Sequence, residues 1–94
     1  MLEKEIEQKM REKFKAKNVI FVKFISPSLV GVPDRIIITP NGRIIFVELK
    51  RESGVISPLQ KHVHKLLREH HVDVRVIIGL QQAMDFVKEI CENG

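Results

Sequence analysis

Residues 31–50 read GVPDRIIITPNGRIIFVELK, and this stretch decides the fold. Two apolar runs, residues 34–39 and 43–50, flank the turn signal Pro40-Asn41-Gly42. Such a pattern predicts a β-hairpin. Because both runs are apolar at nearly every position, we expect two central strands of a sheet that is covered on each face.

Charged residues stand at one end of this hairpin, where Asp34 opens the first strand and Glu48 and Lys50 close the second. The length of the turn determines whether these side chains meet. A two-residue turn would place Asp34 on the opposite sheet face from Glu48 and Lys50. A three-residue loop, Pro40-Asn41-Gly42 with the glycine left-handed, places Asp34 directly opposite Glu48. Proline and glycine suit those loop positions, so we favour this register, which also puts Lys50 on the shared face.

Three charges at the end of an apolar sheet must be paired or must bind an ion, because burying an isolated charge is costly. One interpretation is a structural ion pair between Lys50 and one carboxylate. The other is a metal site, since Mg²⁺ and Mn²⁺ prefer carboxylate oxygens. A bound metal would activate water, and Lys50 would orient that water or stabilise the developing negative charge. This second interpretation predicts phosphodiester hydrolysis without a covalent intermediate.

The rest of the chain alternates between helical and strand patterns. Apolar residues at helical spacing predict helices over residues 2–17, 58–70 and 81–92. Apolar, β-branched runs predict strands over 19–25 and 72–78. The expected order is therefore α-β-β-β-α-β-α, an α/β sandwich with a mixed central sheet flanked by helices. The strand–helix–strand step predicts that the third and fourth strands are parallel. The buried stripe of the second helix is expected to comprise Leu59, Val63, Leu66 and Leu67.

Composition narrows the class of protein. The chain has 94 residues, which predicts a single domain over residues 1–94, and a formal net charge of +4, which is compatible with a polyanionic partner. Tyrosine and tryptophan are absent, which argues against a base-stacking platform for single strands. Cys91 is the single cysteine and excludes an intramolecular disulfide. With no signal-like or membrane-spanning run, we expect a cytoplasmic protein.

The GVPDR stretch, the hairpin and residues 46–50, FVELK, resemble the PD-(D/E)XK nuclease superfamily. Residues 23–27, KFISP, and residues 57–60, SPLQ, extend this likeness to the stand-alone VRR-NUC domains of phages and bacteria. The resemblance covers essentially the whole chain. It implies a restriction-endonuclease-like fold and an endonuclease that hydrolyses DNA phosphodiesters with Mg²⁺ or Mn²⁺.

The resemblance also implies roles for particular residues. Asp34 and Glu48 would bind the metal together with the backbone carbonyl of Leu49, and Lys50 would be the catalytic lysine. Gln60 matches a glutamine that contributes to the site in this superfamily. The alternative interpretation of Gln60 is a solvated residue at the start of a helix.

The superfamily also uses a glutamate from its first helix, and the sequence offers two. Glu7 is followed by Met10 and Phe14 at the spacing seen in related junction resolvases, so the resemblance favours Glu7 as a metal ligand. On a helical projection, Glu3 lies nearer the middle of the apolar stripe and should be the more buried of the two. We favour Glu7 and keep Glu3 as its alternative.

Basic residues near the predicted site are candidates for contact with DNA phosphates. They are Lys50, Arg51, Lys61 and Lys65. The basic residues of the first helix are interpreted instead as a solvated face. The four histidines are expected on the surface near the phosphate path. His62 and His64 lie too far apart around a helix to hold one metal together.

The resemblance implies a homodimer that cuts branched DNA such as Holliday junctions, with two sites that nick two strands. No element reads base edges, which agrees with recognition of DNA shape. One alternative is a non-catalytic nucleic-acid-binding module on the same fold, which loss of a carboxylate or the lysine would favour. Another is a sequence-specific nuclease of the restriction type, which would normally need an added recognition element.

Overall fold

The computed structural model describes residues 1–93, which form three helices and a four-stranded sheet. The helices are α1 (Glu3–Ala16), α2 (Pro58–Glu69) and α3 (Gly79–Asn93). The strands are β1 (Ile20–Lys23), β2 (Arg35–Ile38), β3 (Ile44–Lys50) and β4 (Val74–Ile78). The predicted order α-β-β-β-α-β-α is confirmed. Over the described chain, every helix is too short or too polar to cross a bilayer.

The sheet has the order β1-β2-β3-β4. Strand β2 is antiparallel to both β1 and β3, whereas β3 and β4 are parallel. The mixed sheet and the parallel pairing of the last two strands are therefore confirmed. Strand β1 is shorter than predicted, because the chain turns away after Lys23 towards Ser26-Pro27, a sequence that favours a bend.

The turn between β2 and β3 is the predicted three-residue loop. The amide of Gly42 donates to the carbonyl of Thr39 over 2.9 Å, and the amide of Thr39 donates to the carbonyl of Arg43 over 3.0 Å. Gly42 has a φ of 90°, the left-handed conformation that the bulge needs. The register then pairs Ile38 with Ile44, and by the same count Asp34 precedes the strand opposite Glu48.

The main core lies between one sheet face and the pair α1 and α3. Its members are buried side chains from both helices and from alternate strand positions: Ile6, Met10, Phe14, Val19, Phe21, Ile37, Ile45, Val47, Leu49, Ile77, Ala83, Phe86, Val87 and Ile90. The Phe14 ring packs against Phe21 and Phe86 with centroid distances of 5.4 and 6.3 Å. The apolar stripe of α1 that repeats every four residues thus faces the sheet, as an amphipathic helix requires.

The opposite sheet face is only partly covered, contrary to expectation. Helix α2 packs on this face beside β4 and leaves the β1–β2 half without a helix. Ile20, Val22 and Ile44 are consequently 44–55% exposed.

The predicted buried stripe of α2 is also partly wrong, since Leu59 and Leu66 are 50% and 36% exposed. The helix is rotated so that its buried residues are Val63 and His64.

Candidate active site

Asp34 and Glu48 face each other at one end of the β2–β3 pair, as the turn analysis predicted. The Asp34 carboxylate is held in two directions. The backbone amide of Leu49 donates to Asp34 Oδ1 over 3.1 Å, and Arg35 Nη1 lies 2.9 Å from Asp34 Oδ2. These contacts come from the two strands themselves, so the hairpin register also orients this carboxylate.

Glu48 is a buried carboxylate with an incomplete set of partners. Its residue surface is 2% exposed, and its Oε1 atom has no hydrogen-bond partner. Lys50 Nζ lies 3.5 Å from the other oxygen, Oε2. Burial, followed by the negative charges of Asp34 and Glu3, raises the pKa of Glu48 to about 7 against the opposing effect of Lys50. The structural ion pair with Lys50 is therefore present, but it does not satisfy the carboxylate.

His64 on α2 lies beside Glu48. Its Nε2 atom is 3.8 Å from Glu48 Oε1 and has no hydrogen-bond partner. Burial and the positive charges of Arg68 and Lys50 lower the pKa of His64. The expectation of a surface histidine is wrong at this position, because His64 is 1% exposed. The spacing in the sequence could have indicated this burial. His64 lies four residues after Gln60 and three before Leu67, so these three side chains share one face of the helix.

The donor set fits a hard divalent cation. Asp34 and Glu48 supply carboxylate oxygens, and among the described side chains Lys50, with Nζ 3.5 Å from Glu48 Oε2, is the one cation beside these two negative charges on the Glu48 side. Within residues 1–93, no cluster of three or more His, Cys, Asp or Glu side chains is arranged to hold a metal. Mg²⁺ does not require such a cage, since it keeps several waters and commonly takes one or two carboxylates together with substrate phosphates.

The two first-helix glutamates differ in their partners. Glu7 Oε1 lies 2.8 Å from Arg35 Nε and 3.1 Å from Arg11 Nη2. Burial acts to raise the pKa of Glu7, but these arginines outweigh it and hold the pKa below its ordinary value. Glu3 is instead the helix glutamate whose charge acts on Glu48. The structure therefore pairs Glu7 with two arginines, while the charge of Glu3 contributes to the raised pKa of Glu48.

The helical projection was also wrong about burial. The Glu7 side chain is 16% exposed and the Glu3 side chain 41% exposed. The reason is Arg35, a buried strand residue to which sequence analysis assigned no role. Its guanidinium binds Glu7 and Asp34 and so links helix α1 to the site. The sequence does contain a sign of this role. Arg35 follows Asp34 directly, so strand alternation turns its side chain towards the core, where a buried guanidinium requires a carboxylate partner.

Comparison with known proteins agrees with this geometry. A family model described as the VRR-NUC domain matches residues 3–80. The chain belongs to the VRR-NUC domain family. A solved structure described as "VRR_NUC domain" superposes with a TM-score of 0.80 and 26% identity, covering 92% of this chain and 94% of the other.

A phage relative of this VRR-NUC chain is "Putative nuclease p44" of Acyrthosiphon pisum secondary endosymbiont phage 1. The two are 49% identical over 51 residues, which make up 54% of this chain and 48% of the phage protein. The matched stretch thus spans about half the length of that relative.

In this VRR-NUC domain, Gln60 lies in the first turn of α2 and forms a capping box with Ser57. Its Oε1 accepts a hydrogen bond from the Ser57 amide over 2.9 Å, and its own amide donates to Ser57 Oγ over 3.1 Å. Gln60 therefore has a structural role at the helix start, one turn from His64 on the same face. Its participation in the site stays a prediction. The candidate phosphate contacts Arg51, Lys61 and Lys65 are exposed.

Gly54 in the loop after β3 packs closely against Lys50 in this VRR-NUC domain. A Cβ atom at Gly54 would lie 2.7 Å from Lys50 Cβ and 3.0 Å from the Arg51 carbonyl oxygen. Because Lys50 Cβ is anchored to the strand, a Gly54→Ala substitution must displace the loop or the lysine. We expect Gly54→Ala to slow DNA cleavage about 10-fold or more, since small misplacements of catalytic groups carry large rate penalties. Single-turnover cleavage measures this effect.

The matched control is Val55→Ala in the same loop, where the side chain is 78% exposed. This variant should cleave at close to the wild-type rate. Equal rates for Gly54→Ala and wild type would show that close packing at Gly54 does not set the lysine position.

Proposed function

We propose that this chain is a metal-dependent endonuclease that hydrolyses DNA phosphodiesters. Asp34, Glu48 and the backbone carbonyl of Leu49 would hold Mg²⁺ or Mn²⁺, and Lys50 would act at the scissile phosphate. The observation that carries the proposal is the placement of the buried Glu48 carboxylate opposite the part-exposed Asp34, with the pKa of Glu48 raised to about 7. Perturbed carboxylates of this kind cluster at functional sites.

The protein groups have separate tasks in this proposal. When bound, the divalent ion supplies Lewis-acid stabilisation and a water of lowered pKa. The Leu49 amide and Arg35 hold the Asp34 carboxylate in place. Lys50, whose side chain is 23% exposed, can reach both Glu48 and an incoming phosphate. Its ammonium would orient the attacking water or stabilise negative charge on the phosphoryl oxygens, and no side chain forms a covalent bond to DNA.

Of the two first-helix glutamates, we now place Glu3 beside the ion. Arg35 and Arg11 already neutralise Glu7, which therefore lacks a free carboxylate for a cation. Glu3 has a looser contact, with Oε2 3.9 Å from Arg35 Nη2. A carboxylate that is half exposed at the start of α1 retains the freedom to move towards a metal.

Branched DNA is the substrate class that we propose. The exposed basic residues Arg51, Lys61 and Lys65 suit contacts to phosphates rather than to base edges. A domain that binds phosphates over its surface recognises DNA by shape and deformability. Four-way junctions present the strand geometry that two symmetric sites would use.

The test compares four-way junction, flap and linear duplex substrates, each with Mg²⁺, Mn²⁺ or EDTA. We expect cleavage of the junction with either metal and none in EDTA. Cleavage that persists in EDTA would overturn the metal-dependent mechanism. Equal cutting of linear duplex would overturn the branched-DNA assignment and leave the nuclease intact. Tight binding without cutting would instead favour the non-catalytic module.

A homodimer is also part of the proposal, and the exposed sheet face supports it. The register aligns Ile20, Ile38 and Ile44 in one row across three strands. The next row consists of Val22, Ile36 and Phe46, and it lies directly beside the row that contains Asp34 and Glu48. An apolar face of this kind can pair with the same face of a second copy about a two-fold axis.

The dimer proposal predicts that Ile20→Lys combined with Ile44→Lys converts the chain to a monomer. The reason is that two charges per copy would be forced into an apolar interface. Sedimentation velocity measures the change. The matched control is Val30→Lys, since Val30 is 69% exposed and lies outside the sheet. A wild-type chain that sediments as a monomer would contradict the proposal.

A further inference from the structure

Two buried polar atoms face each other behind the carboxylate pair. They are Glu48 Oε1 and His64 Nε2, which lie 3.8 Å apart on side chains that are 3% and 2% exposed. In the described part of the chain, they are the two buried side-chain nitrogen or oxygen atoms that lack a hydrogen-bond partner. Leaving such an atom unsatisfied costs about 1–3 kcal/mol. Two neighbouring buried polar atoms that both lack hydrogen-bond partners therefore call for a functional explanation.

The distance itself is informative. At 3.8 Å the two atoms are beyond the range of a direct hydrogen bond, which ends at about 3.2 Å. They are also too close for a bridging water with good geometry, because each of its hydrogen bonds would need about 2.8 Å. A movement of less than about 1 Å by either side chain closes the gap to a direct hydrogen bond.

The surroundings favour movement of Glu48 towards a rigid histidine. His64 sits in the middle of α2, next to the buried Val63, and its position is set by the packing of that helix. Glu48 is held more loosely, since the ammonium of its cationic neighbour Lys50 lies 3.5 Å from Oε2. Binding of a cation to the carboxylate pair would relieve the repulsion from Asp34 and allow Glu48 to settle against His64.

We propose that His64 is a positioning residue for Glu48: its Nε2–H group donates to Oε1 and leaves the second oxygen for the metal. This inference rests on the proposed metal-dependent function and deepens it. Carboxylate ligands are commonly oriented in this way by hydrogen-bonding partners that do not touch the metal. Direct ligation by His64 is the competing arrangement, and it suits Mg²⁺ less because this ion prefers oxygen.

The first experiment compares two substitutions at one site. His64→Gln keeps an N–H group near the position of Nε2, whereas His64→Met fills the space without a donor. Isothermal titration with Mn²⁺ should show about 10- to 100-fold weaker binding for His64→Met and near-wild-type binding for His64→Gln. A merely structural role would weaken both variants alike. Circular dichroism confirms that each variant is folded.

The outcomes separate this inference from the proposed function. If wild type binds Mn²⁺ and His64→Met binds it equally well, the positioning role is overturned and the metal site stands. If wild type fails to bind Mn²⁺ or Mg²⁺ at all, both proposals are overturned together.

A second measurement reads the imidazole of the wild-type chain directly. Long-range ¹H–¹⁵N spectra with Mg²⁺ report the imidazole tautomer, and the His64 signals are identified by their absence in His64→Gln. We expect the proton on Nε2. A proton on Nδ1 would overturn the proposal, because Nε2 could then only accept. A strong nitrogen coupling to bound Mn²⁺ in pulsed electron paramagnetic resonance would also overturn it by showing direct ligation.

Discussion

A Lys50→Ala variant is expected to cleave DNA about 10²- to 10³-fold more slowly than wild type while still folding and binding metal. Lys50 ends β3 on the same face as Asp34 and Glu48, and its Nζ lies 3.5 Å from Glu48 Oε2. Its removal takes a positive charge from the place where negative charge develops during hydrolysis. The carboxylates remain, so the affinity for a cation should be unchanged or higher.

Single-turnover cleavage of a four-way junction measures the rate, and titration with Mn²⁺ measures the affinity. The matched control is Lys9→Ala, an exposed lysine on α1 away from the site. This control should cleave at the wild-type rate. A Lys50→Ala variant with normal cleavage would contradict the catalytic assignment, and one that loses metal binding would indicate a different role for the lysine.

The second large effect is a gain in stability, produced by a substitution that also removes activity. Glu48→Gln should abolish cleavage yet make the metal-free chain more stable at pH 8, by up to about 3 kcal/mol. The reason is that the pKa of Glu48 is raised from 4.5 to about 7, mainly by burial and then by the charge of Asp34. A neutral glutamine removes the buried charge and its repulsion with Asp34.

The pH dependence follows from the direction of this shift. At low pH, Glu48 is protonated in both the folded and the unfolded chain, so its burial does not lower the free energy of unfolding. As the pH rises from 4.5 towards about 7, the unfolded chain releases this proton first, so wild type loses stability relative to the glutamine variant. Above about pH 7 the difference in the free energy of unfolding between Glu48→Gln and wild type should reach its full value.

Urea unfolding in EDTA at several pH values measures the difference between Glu48→Gln and wild type. The control is Glu69→Gln at an exposed position of α2, which should show no such pH-dependent gain. Mg²⁺ should stabilise wild type and not Glu48→Gln, because a ligand that binds only the folded state shifts unfolding by mass action. A Glu48→Gln chain that is less stable than wild type at pH 8 would contradict the prediction.

Much of the site could be predicted because it depends on local chemistry. The Pro40-Asn41-Gly42 loop selects a bulged turn, and this turn alone sets Asp34 opposite Glu48. Strand alternation then places Lys50 on the same face. None of these steps needs knowledge of what packs on the sheet.

Other features could not be predicted because they depend on contacts between distant segments. His64 is buried because α2 is rotated about its axis on the sheet, and an amphipathic pattern with several leucines allows more than one rotation. Glu7 turns inward because Arg35, 28 residues later, reaches across to it. A helical projection contains neither of these partners.

By itself, the sequence determined the order of the helices and strands, the hairpin register and the meeting of Asp34, Glu48 and Lys50. Each follows from residue spacing and turn chemistry within about twenty residues. Only the tertiary structure decided that His64 faces Glu48 and that Glu7 pairs with Arg35. Those outcomes depend on how helices dock on the sheet, where long-range packing and buried ion pairs outweigh local pattern.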